Sequence, residues 1–387
     1  MDYFQNFKDR LVAKEQAQNK RSIKFYEPID AVRVKCENRE FIMMASNNYL
    51  GLTHDVRVQQ AAIQAVQHYG TGSGGARLTS GSFPLFNELE TAISNFKNTE
   101  QALIFNTGYM ANVGTITALM DKNSVIISDE LNHASIIDGC RLSGAHIERY
   151  KHKDVEHAEY LLKTYTSSHK MIITDGVFSM DGDIAPLDKL YELGKEYNAL
   201  LMVDDAHSTG VLGNGRGTAH HFGLMDVDVQ LGTLSKALGS VGGYVAGRKE
   251  LIEYLVNYSR SFIFSTALSP ADIGAALQAL SIVCNDRSVV NQLRENTVYM
   301  ADKLQALDIE CDDETPIFPI VVGDNDRALT LARELEERGI IITAIRPPTV
   351  PVGESRLRMT VTAAHSKDQL DYVANALKEL LVDMNIH

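Results

Sequence analysis

Reactive side chains stand at the ends of two consecutive apolar runs of the sequence. Asp204 and His207 follow the run 201–203, and Lys236 lies among small residues after the next run. A lysine amine can form a Schiff base, a carboxylate can hold a protonated pyridine nitrogen, and an imidazole can donate to a phenolic oxygen. A pyridoxal phosphate (PLP) site requires these three functions. Each residue alone is commonly a surface charge or a helix cap, so the prediction depends on their combination.

Further side chains could complete such a site. In the segment 106–112 a strand gives way to a helix near Tyr109, and free N–H groups at a helix start favour a phosphate. An ordinary strand-to-helix turn is the alternative interpretation. Thr233 is placed to hydrogen-bond the same phosphate. His133 could stack on a cofactor ring, and Ser179 lies at another strand-to-loop junction.

An arginine pair near the C-terminus could hold the carboxylate of a substrate. Arg356 and Arg358 lie two residues apart in a predicted strand, so they share a face. Either guanidinium could bind a carboxylate through two hydrogen bonds, and position alone does not choose between them.

The glycine-rich segment 70–75 resembles a phosphate loop only superficially. It lacks the Gly-Lys-Ser/Thr ending of a nucleotide-binding loop, and its spacing is not that of a dinucleotide fingerprint. We therefore expect backbone that packs close to a bound ligand, and not a nucleotide site.

The composition argues against several classes of protein. A net charge of −13 disfavours a nucleic-acid or anionic-membrane surface. No apolar run reaches the roughly 20 residues of a membrane span, and the polar N-terminus lacks a secretory core, which predicts a cytoplasmic location. The four cysteines are scattered and the twelve histidines form no HExxH pattern, so we expect no metal site.

Between residues 47 and 284, short apolar runs alternate with longer helical patterns. The runs begin at Ala102, Ser124, Lys170, Ala199, Val227 and Gly243. Continuous apolar strands between helices predict an α/β domain with a mostly parallel sheet that is covered on both faces. In such sheets ligands bind beyond the carboxyl ends of the strands, where the polar residues named above should converge.

The two ends of the chain differ from this PLP-binding α/β region. Residues 1–46 predict an amphipathic helix, extending to about residue 19, and two short strands. Residues 285–387 alternate helix patterns with strands that have one exposed face, which predicts a small α+β domain. The sequence thus predicts three parts, with boundaries near residues 47 and 285.

Six motifs together resemble the α-oxoamine synthases, a PLP family of fold type I. Its members condense an amino acid with an acyl thioester and release CO2 and the thiol carrier. The motifs lie at residues 46–52, 70–75, 177–182, 203–207, 232–236 and 362–365, and the resemblance covers nearly the whole chain. It implies an aspartate aminotransferase-like fold and a homodimer in which Ser265 and Thr266 reach the phosphate of the other subunit's cofactor.

The resemblance also implies a role for each catalytic candidate. Lys236 holds the cofactor covalently, and Asp204 pairs with its ring nitrogen. His207 contacts the phenolic oxygen. His133 stacks on the ring and contacts the substrate. The remaining cofactor-binding residues are expected to be Gly108, Tyr109, Ser179, Thr233, Ser265 and Thr266.

Four further positions match substrate-binding residues of the family. Asn47 and Arg358 are expected to hold the carboxylate of the amino acid, which favours Arg358 within the arginine pair. Arg21 and Thr349 match positions that contact the acyl substrate.

Two segments favour one branch of the family. Residues 344–351 and 322–329 resemble the members that act in biotin biosynthesis, which join L-alanine to a pimeloyl thioester of CoA or of an acyl carrier protein. The glycine-using 2-amino-3-ketobutyrate CoA ligase is the alternative, because residues 232–239 resemble it too and Asp175 replaces a Glu found in many biotin-pathway members. A catalytically silent partner subunit is a further alternative, which Lys236 disfavours. The sequence does not choose alanine over glycine, because one methyl group is worth only ~1–3 kcal/mol of discrimination.

Overall fold

The chain begins with a helix and three short strands. The computed structural model describes residues 3–17 and 19–384. The first elements are α1 (Tyr3–Gln16), β1 (Glu27–Pro28), β2 (Arg33–Cys36) and β3 (Arg39–Met43). They confirm the predicted helix and strands, although residues 1, 2 and 18 of the predicted helix lie outside the described residues.

The central region alternates strands and helices as predicted. It contains α2 (Val56–Tyr69), α3 (Pro84–Lys97), β4 (Gln101–Phe105), α4 (Gly108–Leu119), β5 (Val125–Asp129), α5 (Ala134–Ser143), β6 (His146–Tyr150), α6 (Val155–Thr164), β7 (Lys170–Asp175), α7 (Leu187–Glu196), β8 (Leu200–Asp204), α8 (Thr218–His221), β9 (Val229–Thr233), β10 (Gly243–Gly247), α9 (Lys249–Tyr258), α10 (Arg260–Ile263) and α11 (Pro270–Asn285). Strand β6 was not predicted, because its mostly exposed and half-buried residues form no apolar run.

Seven of the described strands form one sheet in the order β4-β10-β9-β8-β7-β5-β6. The pairs from β9 to β6 are parallel, and β10 is antiparallel to both of its neighbours. The predicted mostly parallel sheet is therefore confirmed. Because parallel strands end at the same edge, the carboxyl ends of β5, β7, β8 and β9 lie side by side.

Both faces of the sheet are buried by helices. Ile126 and Met202 lie in a core with side chains of α4, α5 and α9, whereas Ile127 and Val203 lie in a second core with α6 and α7. Neighbouring residues of one strand thus point to opposite cores. Burial of each such aliphatic side chain contributes about 1.5–3 kcal/mol, which fixes the sheet that positions the site.

The C-terminal region folds around a second, smaller sheet. Its elements are α12 (Ser288–Gln305), β11 (Ile317–Gly323), α13 (Asn325–Glu337), β12 (Ile340–Ile341), β13 (Thr343–Ile345), β14 (Ser355–Thr360) and α14 (Lys367–Asp383). Strands β11, β14 and β13 form an antiparallel sheet, which confirms the predicted α+β character. Strand β12 instead pairs in parallel with β3, so the N-terminal strands join this region. The boundaries at residues 47 and 285 stay a prediction.

Helix α1 buries none of its side chains within the described chain. Phe4, Phe7 and Leu11 are all exposed. No helix in residues 3–17 and 19–384 is long and apolar enough to cross a bilayer. The cytoplasmic location stays a prediction from the N-terminal sequence.

Candidate active site

Four parallel strands end at polar side chains on one edge of the central sheet. They end at Asp129 in β5, Asp175 in β7, Asp204 in β8 and Thr233 in β9. Asp175 and Asp204 are register partners and both are buried. Burial raises the pKa of Asp204, and burial together with the charge of Asp204 raises the pKa of Asp175 well above its usual range. This edge therefore concentrates carboxyl groups away from water.

The amine of Lys236 lies among these groups, just after β9. Its Nζ is 2.7 Å from Nε2 of His207. Burial lowers the pKa of Lys236 to about 8, and nearby Arg358 also lowers it, although Asp204 raises it. A substantial fraction of this amine is consequently neutral near pH 8, the form that acts as a nucleophile or base.

The carboxylate of Asp204 is held by two hydrogen-bond donors. Nδ2 of Asn112 donates to its Oδ2 at 2.7 Å, and the backbone N–H of Ala206 donates to its Oδ1 at 2.9 Å. Both bonds favour the ionised form and oppose the effect of burial. With only 3% of its surface exposed, Asp204 can serve a protonated partner in an apolar setting.

The loop after β5 places His133 beside these carboxyl groups. The backbone N–H of His133 donates to Oδ2 of Asp175 at 2.7 Å, which ties the loop to the end of β7. Its Nδ1 lies 2.7 Å from Oγ of Ser135 and accepts from the backbone N–H of that residue. Burial lowers the pKa of His133, so the ring is neutral at pH 7 and its orientation is fixed from one side.

The structure distinguishes the two arginines of β14. Arg358 donates to the backbone oxygen of Ser179, and its Nη2 lies 3.1 Å from Oδ1 of Asn47. Arg356 instead forms an ion pair with Asp181. Arg358, Asn47 and Ser179 thus lie together, whereas the guanidinium of Arg356 is paired with Asp181.

Tyr49 connects this arginine to the lysine. Its hydroxyl is 2.7 Å from Nδ1 of His207 and 3.4 Å from Nη2 of Arg358. Burial, followed by the charges of Lys236 and Arg358, lowers the pKa of His207 well below its usual value, so its ring is neutral. One continuous set of hydrogen bonds therefore runs from Arg358 through Tyr49 and His207 to Lys236.

The start of α4 lies against the end of β9. The side chain of Thr107 caps the helix by accepting from the backbone N–H of Met110, and Gly108 is the first helical residue. A Cβ on Gly108 would lie 3.4 Å from Cβ of Thr233, so the two predicted phosphate-binding segments are adjacent. Tyr109 follows in the first turn and is exposed. Free N–H groups in such a turn favour a phosphate.

The segment with Ser265 and Thr266 borders this helix start in the same chain. The carbonyl oxygen of Thr266 accepts from Nδ2 of Asn106 at 2.6 Å. The glycine-rich loop packs against the same segment, because the N–H of Ala267 donates to the carbonyl oxygen of Gly75 at 2.9 Å. That Ser265 and Thr266 serve the cofactor of a second subunit stays a prediction, as does ligand contact by the glycine-rich loop.

Arg21 and Thr349 both line a cavity of about 750 Å³. Its walls come from the end of α1 and the segment after it, from α13, and from β12, β13 and the residues that follow them. Other basic residues lining it are Lys14, Lys20, Lys24, Arg333 and Arg346, and the acidic Glu336, which pairs with Lys24, lines it too. A cationic cavity on a chain with net charge −13 is suited to an anionic ligand.

Comparison with known proteins identifies the family of this chain. The chain matches the family described as aminotransferase class I and II over residues 39–377. It is 46% identical to the 8-amino-7-oxononanoate synthase of Lysinibacillus sphaericus, covering 98% of this chain and 99% of that protein. A structure of serine palmitoyltransferase (SPT) with PLP superposes over 100% of both chains, with a TM-score of 0.96 and 29% identity. The 8-amino-7-oxononanoate synthase of Francisella tularensis covers 89% of this chain and 99% of its own, with a TM-score of 0.77 and 30% identity.

This chain is an α-oxoamine synthase of the aminotransferase class I and II family. The donor set of the site fits the cofactor of that family, PLP. The site offers an amine of lowered pKa in Lys236, an ionisable buried carboxylate in Asp204 and a neutral imidazole in His207. These are the groups that PLP requires at its aldehyde, its ring nitrogen and its phenolic oxygen.

Three further residues of the synthase site are not predicted from the sequence. Tyr49, Asn112 and Ser135 make side-chain hydrogen bonds to the predicted residues. Tyr49 and Asn112 lie inside the segments 46–52 and 106–112, and a buried Asn in the apolar helix α4 is a sequence signal for such a residue. Ser135 looks like an ordinary first-turn helix residue in the sequence, so nothing there distinguished it.

A positively charged histidine links the end of β5 to a loop of the synthase site. His152 lies with Nδ1 3.1 Å from Asp129 and Nε2 2.9 Å from Asp183. Burial alone would lower the pKa of His152, but the two carboxylates outweigh it and raise the pKa to about 9. At neutral pH the imidazolium therefore links the end of β5 to the loop that carries Ser179.

The first prediction concerns the amine of Lys236. Borohydride treatment of the PLP-loaded protein should fix the cofactor on the peptide that contains Lys236, and Lys236→Ala should abolish the label. Because the neutral amine is the form that reacts, the rate at which PLP attaches to Lys236 should rise with pH around a midpoint of about 8. Lys195→Ala, at an exposed site, is the control. A label on another lysine, or a midpoint above 10, would contradict the assignment.

The second prediction concerns His152. Its pKa is raised from 6.5 to about 9, so its stabilisation is fully present below pH 6.5 and is lost as the pH rises through 9. The free energy of unfolding of the wild type minus that of His152→Gln should therefore fall by on the order of 2 kcal/mol between pH 6.5 and pH 10. Urea titrations at several pH values measure it, with His54→Gln as the control. A difference that is constant or grows with pH would refute the bridge.

Proposed function

We propose that the chain condenses L-alanine with a pimeloyl thioester to give 8-amino-7-oxononanoate, CO2 and the free thiol carrier, a step of biotin biosynthesis. A bond forms between the alanine α-carbon and the pimeloyl carbonyl carbon, the thiol leaves, and the alanine carboxyl group departs as CO2. The observation that carries this proposal is the arrangement of Arg358 and Asn47 beside Lys236 and His207. Near-full-length similarity to 8-amino-7-oxononanoate synthases supports the choice of substrates.

Alanine is held at its carboxylate in this proposal. Arg358 and Asn47 supply charged and neutral donors that can bind both carboxylate oxygens. The contact of Arg358 with the backbone oxygen of Ser179 fixes the guanidinium before the substrate arrives. A fixed carboxylate places the α-hydrogen of alanine in a defined direction, which favours proton removal.

Lys236 is the proposed site of PLP attachment and the general base. When bound, PLP supplies an electron sink for the carbanion that forms at the α-carbon. The amine of Lys236, with a pKa of about 8, can take the α-proton near neutral pH. Asp204 would hold the protonated ring nitrogen, and His207 would donate to the phenolic oxygen.

Three residue sets complete the cofactor site in this proposal. His133 would stack on the ring, since its imidazole is neutral and exposed at the carboxyl edge. Gly108, Tyr109 and Thr233 would bind the phosphate at the start of α4. Ser179 would contact the cofactor from the loop that also orients Arg358.

The acyl thioester is proposed to use the cationic cavity. Arg21 and Thr349 both line it, so the two residues assigned to the acyl substrate share one space. A pimeloyl chain carries a remote carboxylate, for which a basic wall is favourable, whereas an acetyl group carries none. This difference would favour the pimeloyl donor over the acetyl donor of the glycine-using ligase if the remote carboxylate, and not the phosphates of CoA, occupies the cavity.

The active unit is proposed to be a homodimer. Large apolar side chains are exposed next to Ser265, with Phe264 71% exposed, and along α1. Such exposed apolar groups are typical of surfaces that a partner covers. If a second subunit covers this surface, the phosphate of its cofactor would lie within reach of Ser265 and Thr266 of the first subunit.

The third prediction separates the two halves of the reaction. Arg358→Ala should raise the KM for alanine by about 30–1,000-fold, because a charged pair with the carboxylate is lost. Arg21→Ala should raise the KM for the pimeloyl thioester and leave the KM for alanine within about twofold. Steady-state release of CO2 and thiol measures both constants. Arg141→Ala, at an exposed position of α5, should match the wild type.

The same assay tests the substrates themselves. L-alanine with a pimeloyl thioester should be turned over faster than glycine with acetyl-CoA. Faster turnover of glycine with acetyl-CoA would replace the proposal with the ligase function. No turnover with either pair by the PLP-loaded protein would instead favour the silent-subunit alternative.

A further inference from the structure

Asn112 is a buried amide in α4 that no part of the proposed mechanism uses. Its Nδ2 donates both hydrogens, one to Oδ2 of Asp204 at 2.7 Å and one to Oγ of Ser135 at 2.9 Å. Its Oδ1 is buried and has no hydrogen-bond partner among residues 3–17 and 19–384. A buried acceptor without a partner is uncommon and unfavourable. The amide is thus kept in an orientation that satisfies its donors at the expense of its acceptor.

The neighbours of Asn112 fix this orientation. Reversing the amide would place Oδ1 against the carboxylate of Asp204, and two acceptors would then face each other. Ser135 has a single hydroxyl proton, and Nδ1 of His133 lies 2.7 Å from that oxygen. The hydroxyl therefore donates to His133 and accepts from Asn112. One directed chain of hydrogen bonds runs from Asn112 to Asp204 on one side and to His133 on the other.

We propose that Asn112 is a positioning residue that holds the carboxylate of Asp204 ionised and correctly oriented for the ring nitrogen of PLP. The inference rests on the proposed function, because it assigns that task to Asp204. Within the described residues, the only other hydrogen bond to this carboxylate comes from the backbone N–H of Ala206. Asn112 is consequently the only side chain there that donates to it.

The position of Asp204 explains why such a donor is needed. The carboxylate is buried, and burial favours its protonated form. A protonated Asp204 could no longer attract a protonated ring nitrogen. An amide donor stabilises the ionised form without adding a charge that would compete with the cofactor for the carboxylate.

The fourth prediction tests this role in the cofactor-free protein. Asn112→Leu removes the donor and keeps the branching and the number of non-hydrogen side-chain atoms, and Asn112→Ala removes it if the first variant misfolds. The carboxyl 13C signal of Asp204, assigned with Asp204→Asn, should titrate at least about 1 pH unit higher in either variant than in the wild type. Thr115→Val is the matched control, because Thr115 is equally buried in α4 and its hydroxyl has no hydrogen-bond partner in the part of the chain that the structure describes. An unchanged midpoint in the Asn112 variants would overturn the inference.

The loaded enzyme gives a second, independent readout. Loss of the donor should lower kcat by about 10–100-fold while the KM for alanine stays within about twofold, because Arg358 and Asn47 hold the substrate carboxylate separately. A raised KM with unchanged kcat would show a merely structural role. If the Asp204 midpoint moves but the wild type does not turn over alanine, the proposed function fails and the role of Asn112 toward Asp204 stands.

Discussion

The buried ion pair between Lys97 and Asp205 is the contact on which the site depends. Both side chains are fully buried, with Nζ 2.6 Å from Oδ2. Asp205 directly follows Asp204, the last residue of β8, so two carboxyl groups occur consecutively at this edge of the sheet. Lys97 neutralises one of them, which leaves Asp204 free to face the site. Asp205 also accepts a hydrogen bond from the N–H of Thr218. Gly217 packs so closely against the same carboxylate that a Cβ there would lie 2.1 Å from Oδ2 of Asp205. Loss of Lys97 would leave a buried charge unpaired, at a cost of about 3–5 kcal/mol.

The other buried charged groups at the carboxyl edge of the central sheet compensate one another. Burial disfavours every ion there, and each charged group is tolerated because an opposite charge or a donor lies beside it. Lys236 illustrates the balance, since burial lowers its pKa to about 8 while Asp204 opposes the shift. His207 is held neutral first by its burial and then by two positive groups, Lys236 and Arg358. The amine becomes reactive near neutral pH for the same reason that the imidazole remains a neutral hydrogen-bonding group.

Much of the fold and several site residues could be predicted from the sequence, because the residues at strand ends are predictable. Asp204 and Lys236 follow apolar runs, and the parallel sheet then brings them together without any knowledge of the loops. The resemblance favoured Arg358 over Arg356, and the structure gave a physical reason in the ion pair of Arg356. Lys97 could not be predicted, because a lysine at the end of a helix is usually solvated and its partner lies 108 residues away. Such contacts depend on the final packing of helices and loops and leave no local pattern.

In the proposed mechanism, the carboxylate of Asp204 and the amine of Lys236 act together on the α-hydrogen of alanine. Exchange of that hydrogen for deuterium, followed by NMR in D2O without any acyl thioester, tests it most directly. The PLP-loaded wild type should exchange the hydrogen readily. Asp204→Asn should still bind PLP but exchange at least about 100-fold more slowly, since the neutral amide no longer stabilises a protonated ring nitrogen. Equal exchange in the two proteins would show that another group holds the cofactor nitrogen and would contradict the account.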